Sequence, residues 1–89
     1  MKKLNLYKIR LNEEVVITPL RLVNGKYGMQ IIGLIKDTEY FLPRNTQLIN
    51  KILNIGLNKT IHVKKLTIGS KKEAAEFQVT EVTTQQKLL

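Results

Sequence analysis

Asn24-Gly25 is the feature that most constrains this chain. A type I′ turn needs positive φ at both central residues, and Asn-Gly supplies it at the least cost. The dipeptide is flanked on both sides by β-branched and aliphatic residues. Val15 to Val23 reads as one strand and Lys26 to Ile35 as the next, joined as a tight hairpin. Pro19 interrupts the first strand and predicts a bulge or an edge position.

Downstream, Lys36-Asp37 turns the chain into a short third strand, Glu39 to Leu42, ended by Pro43. Asn45 is suited to cap a helix, because its side-chain oxygen can accept an orphan N–H of the first turn. Leu48, Ile49, Ile52, Leu53 and Ile55 then recur at helical spacing, and Gly56 stands where a helix ends. Thr60 to Ile68 alternates as a fourth strand, Gly69 to Lys72 is a basic loop, and Glu76 to Val82 is a fifth strand. Residues 1–13 form a basic lead-in whose apolar parity shifts between Leu6 and Ile9, as an extra strand or an arm would show. Residues 84–89 read as a flexible tail.

Three strands, one helix and two strands give a mainly β fold. That order predicts a five-stranded OB-fold barrel over residues 14–83, with one helix between strands 3 and 4. A split α+β sheet shares the order and is the alternative.

The chain has 89 residues, enough for one domain. Lys and Arg number 15 against 7 Asp and Glu, for a net charge of +8. Such an excess predicts a polyanionic partner. Cysteine is absent, which excludes disulfides, thiolate metal sites and a Cys nucleophile. His62 is the only histidine, no acidic cluster has ligand spacing, and no catalytic motif is present, so neither metal, cofactor nor enzymatic activity is expected. Asn5, Lys8 and Arg10 break any signal-like apolar run, and no apolar stretch is long enough to span a bilayer. The expectation is a cytoplasmic protein with no membrane partner.

Hairpin pairing across Asn24-Gly25 would set Val23 opposite Lys26, Leu22 opposite Tyr27 and Arg21 opposite Gly28. Leu20, Leu22, Tyr27, Met29 and Ile31 then form a core face. Arg21, Lys26, Gly28, Gln30 and Ile32 form a cationic, polar face, with Gly28 where another chain can approach. On the third strand Tyr40 and Leu42 share a face and Phe41 points the other way. Phe41 beside Arg44 supplies a ring for a base and a cation for a phosphate. Lys64 faces outward on the fourth strand. Lys71 and Lys72 crown the last hairpin, which in an OB-fold flanks the ligand groove.

The segment NGKYGMQIIGLIKDTEYFL, from Asn24 through Leu42, leads into an Asn-capped helix ending at Gly56 and then into TIHVKKL. In this the chain resembles the small single-domain OB-fold single-stranded-DNA-binding proteins of viruses, plasmids and prokaryotes. The resemblance covers residues 14–83. It implies sequence-tolerant binding of single strands in replication, recombination or repair. It carries contacts onto Lys26, Tyr27 and Gln30, and onto Tyr40 or Phe41. The chain differs from housekeeping bacterial members in having no Trp and in ending Lys87-Leu88-Leu89 instead of in acidic residues. An RNA-binding OB module and a basic protein-interaction module, such as a viral inhibitor, share the same composition. Edge strands of small barrels often pair, which allows a homodimer.

Overall fold

A computed structural model describes residues 4–26 and 28–82. In chain order the elements are β1 (Asn5–Leu6), β2 (Glu14–Gly25), β3 (Gly28–Ile35), β4 (Thr38–Phe41), α1 (Thr46–Ile55), β5 (Ile61–Lys65) and β6 (Phe77–Glu81). The fold is mainly β, with one helix. The strands form one six-stranded mixed sheet in the order β1-β4-β3-β2-β5-β6. Among the described residues no ladder joins β1 to β6, so the sheet is open there.

The expectation of five strands is therefore corrected to six. The extra strand comes from the lead-in: β1 runs parallel to β4, with Asn5 beside Tyr40 and Leu6 beside Phe41. The Tyr7 N–H donates to the Phe41 carbonyl at 2.9 Å. The arm then drops Ile9, 4% exposed, into the core and reaches β5, where Leu11 bridges to Lys65. That crossing explains the parity shift between Leu6 and Ile9.

The predicted turn at Asn24-Gly25 is also corrected. Asn24 pairs with Met29 and Gly25 with Gly28, so the strands close around Lys26, further along the chain. The positive φ sits on Gly28, at 116°, and neither Asn24 nor Gly25 has one. The observed register aligns Leu22 with Ile31 and Arg21 with Ile32. Because the shift leaves side-chain parity unchanged, Leu22, Met29 and Ile31 still share one face, and Arg21, Gln30 and Ile32 the other. Tyr27 lies outside the described residues, as do residues 83–89.

Pro19 does mark a bulge. The β2–β3 register shifts between Pro19 and Arg21, and the ring of Pro19 is fully buried. A bulge bends a strand and increases its twist. The bend lets β2 serve two partners: Glu14–Ile17 pair with β5, and Thr18–Gly25 pair with β3.

Inside this curved sheet lies one apolar core. Ile17, Ile31, Leu48, Ile52, Ile61 and Val63 are all 0% exposed, and Leu42 is 1% exposed. Leu48 and Ile52, one turn apart on α1, bring the helix onto it. Gly33 makes room at its centre. A Cβ there would stand 2.7 Å from the Ile17 Cγ2 and 3.1 Å from a Leu42 methyl. At Gly28, by contrast, a Cβ would meet nothing of this chain within 4 Å.

Asn45 links the helix to the last hairpin. Its Oδ1 accepts the Leu48 N–H at 3.0 Å, and its Nδ2 donates to the Ala75 carbonyl at 3.1 Å. The Lys51 ammonium donates to the Phe77 carbonyl, and the Gly56 N–H closes the helix on the Ile52 carbonyl. Replacing Asn45 by Ala removes both the cap and the tie. We expect a loss of about 1–2 kcal/mol in urea unfolding, against a few tenths for Asn45→Gly at an ordinary exposed cap. Equal losses for the two variants would show that the tie to Ala75, missing in both, outweighs the cap.

Candidate nucleic-acid interface

Alternation along β2, β3 and β4 gives their outer face a definite composition. Register places Arg21 beside Ile32 and Ile32 beside Phe41, while Leu34 pairs with Glu39 in the next row. Ile32 is 4% exposed although it lies outside the main core. Register sets it between Phe41, half-buried, and Arg21, whose long stem is suited to cover it. Long cationic side chains often cover apolar surface in this way.

Polar groups fix the rim of this row. The Arg21 Nη2 meets the Glu39 Oε1 at 3.3 Å. The Gln30 Nε2 donates to the Leu42 carbonyl at 3.0 Å, holding β3 to the turn that enters α1. Arg44 is exposed just beyond, and Lys26 is exposed at the hairpin tip. The side chains of Arg21 and Glu39 are 53% and 39% exposed. An ion pair so open contributes about 0–1 kcal/mol, so a phosphate can take Arg21 from Glu39 at little cost.

The structure thus brings Arg21, Gln30 and Phe41 onto one face. Other candidates lie elsewhere. Tyr40 is on the core side, its ring 5.4 Å from that of Tyr7 and edge-on at 70°. Lys64 is on the outer side of β5, opposite Glu14 on β2 and Gln78 on β6, next to His62. Glu14 and Arg21 are seven residues apart on β2, roughly 23 Å of strand at 3.3 Å per residue. Lys71 and Lys72 are exposed on the β5–β6 loop, which leaves β5 beside Leu11, at the end of β2 away from Lys26. The Ser70 Oγ shapes that loop by accepting the Lys72 and Glu73 N–H groups at 3.3 and 3.2 Å.

Sequence reasoning missed two features. One is Glu39 as the partner of Arg21, although Glu39 shares parity with Phe41 and so had to fall on the same face. The other is a groove of about 550 Å³ between the arm and the β5–β6 hairpin, lined by residues from Leu6 to Leu11 and by Pro43, Lys65, Ile68 and Phe77. No local pattern announces it, because its walls come from four separated segments.

Within the arm, one carboxylate holds two groups. The Arg10 N–H donates to the Glu13 Oε1 at 2.8 Å and the Tyr7 hydroxyl to the Oε2 at 2.9 Å. The Arg10 N–H first, then the Tyr7 hydroxyl, lower the Glu13 pKa. Burial first, then the bond to Glu13, raise that of Tyr7. A depressed carboxyl stabilises the fold fully above its unfolded pKa, about 4.3, and loses that contribution as pH falls through the lower folded value. The Arg10 amide resonance is therefore expected to titrate with a midpoint below about 4.3. A midpoint at or above it would contradict the two bonds.

Among the described residues no helix is long and apolar enough to cross a membrane. No protein family, curated protein or solved structure matches the chain.

Proposed function

We propose that this chain is a sequence-tolerant single-stranded nucleic-acid-binding module of the OB-fold type, with DNA favoured, working in the cytoplasm in replication, recombination or repair. The observation that carries the reading is Phe41, half-buried on the outer row with Arg21 beside Ile32 and Gln30 on the same face. A ring held on a strand with cations at its rim suits stacking of an unpaired base while the phosphates are neutralised. Stacking tolerates any base, since each has a π-face, and so gives affinity without sequence preference.

The strand connectivity supports the barrel reading. A long bent β2 pairs with both β3 and β5, β4 follows β3, and α1 lies between β4 and β5. An OB-fold is a five-stranded, partly open Greek-key barrel, and β2 to β6 supply five strands with the helix between the third and fourth of them. On this reading β1 is an addition alongside the third barrel strand, with Arg44 three residues beyond the ring and Lys26 at the tip of the β2–β3 hairpin. The net charge of +8 supplies the long-range attraction to a polyanion.

Competition with unlabelled duplex DNA and oligo(U) against labelled oligo(dT) tests the proposal. Oligo(dT) is expected to compete best, and duplex worst, because a paired base offers no open face to Phe41. Duplex competing as well as oligo(dT) would overturn the single-strand reading, and oligo(U) competing best would turn it toward RNA.

A further inference from the structure

The arm groove has a composition unlike the outer row. Its floor is apolar: Phe77, 3% exposed, lies at the base, and Leu6, 53% exposed, and Ile68, 69% exposed, stand on its walls. Its charged lining consists of Lys8, Arg10 and Lys65, with no acid among the lining residues. Glu13, the nearest acid in the arm, is turned to the Tyr7 hydroxyl and the Arg10 amide.

The arm also offers backbone. Tyr7 donates its N–H to β4, so the alternation of a strand points the peptide groups of Leu6 and Lys8 away from β4. Lys8 makes no backbone hydrogen bond among the described residues outside the named strands. An unpaired edge of this kind is a template for another extended chain.

We propose that this groove is a docking site for an acidic, extended segment of a partner protein, which adds a strand along the Leu6–Lys8 edge. Alternate aliphatic side chains enter the apolar floor, and the intervening Asp or Glu residues meet Lys8, Arg10 and Lys65. Charge selects this occupant over the chain's own residues 83–89, which include Lys87 and no acid. The unpaired Leu6–Lys8 edge selects it over a nucleic acid, because a polypeptide backbone can extend that ladder and a nucleic acid cannot. Phe77, the ring at the base, is 3% exposed and open to no base. The proposal stands apart from the reading of the outer row, and neither depends on the other.

The probe is a short labelled peptide alternating isoleucine and aspartate, titrated into ¹⁵N-labelled protein. The amides of Leu6, Lys8 and Ile68 are expected to shift, and those of Leu6 and Lys8 to exchange more slowly. Ile68→Glu and Lys8→Glu, both at exposed positions, are expected to weaken the peptide by roughly tenfold or more each. Lys36→Glu, at an exposed position between β3 and β4, leaves it unchanged. Absence of shifts at these amides overturns the proposal, as does equal binding of a peptide with lysine in place of aspartate. Movement of the same amides by oligo(dT) and not by the peptide also overturns it, and makes the groove a nucleic-acid site. A protein that binds the peptide but no oligonucleotide sinks the single-strand reading alone.

Discussion

Gly33→Val is expected to lower the melting temperature by roughly 5 to 20 °C, from an overpacking cost of about 1–3 kcal/mol and about 4–8 °C per kcal/mol in a domain of this size. The reason is local. Gly33 lies in the middle of β3, between Pro19 on β2 and Tyr40 on β4, and faces the core. Even a first methyl carbon would sit 2.7 Å from the Ile17 Cγ2, nearer than packed carbons approach. Ile17 cannot swing away, since it is 0% exposed, branched at Cβ and fixed by its pairing with Ile61. The valine methyls extend the same clash towards Leu42, which also leads the chain into α1. Gly33→Ala is expected to cost less than Gly33→Val. A valine variant that melts with the wild type would mean that Ile17 and Leu42 do not close over β3 at Gly33.

Phe41→Ala is expected to weaken oligo(dT) binding by about 1–3 kcal/mol, the size of one lost base stack, or roughly 5- to 150-fold. The substitution also uncovers Ile32, so some loss of stability accompanies it. Phe41→Leu separates the two effects. Leucine keeps an apolar cover over Ile32 but has no π-face, so stability is expected to stay near the wild type while affinity falls nearly as far as in the alanine variant. Anisotropy titrations beside thermal melts read both quantities. If Phe41→Leu binds like the wild type, the ring is only a lid on Ile32 and stacks no base.

Much of the architecture was legible from local pattern. Asn45, the spacing of Leu48 and Ile52, and Gly56 marked α1 because a cap, a periodic face and a stop all lie within the helix itself. The alternation Tyr40-Phe41-Leu42 placed Phe41 outside for the same reason. The hairpin was harder. Between Asn24 and Gly28 the chain holds two glycines, and local turn chemistry does not say which one takes the positive φ. Pairing of Leu22 with Ile31, a matter of the whole core, decided for Gly28. Strand β1 was harder still, since two residues carry no periodicity and their partner lies on β4. The basic residues divided in a similar way. Charge alone could not tell Arg21, beside Phe41's row, from Lys64, whose neighbours are Glu14 and Gln78.

The central claim is that a single strand binds the outer row of β2, β3 and β4. Its most direct test is a fluorescence-anisotropy titration of labelled oligo(dT) at two salt concentrations. Arg21, Lys26 and Arg44 as three phosphate contacts, at about 0.7 each for a single strand, predict that log K falls with log salt at a slope of about −2. Tight binding with that slope is the expected result. No binding at low salt, or an affinity that salt leaves unchanged, would contradict the claim.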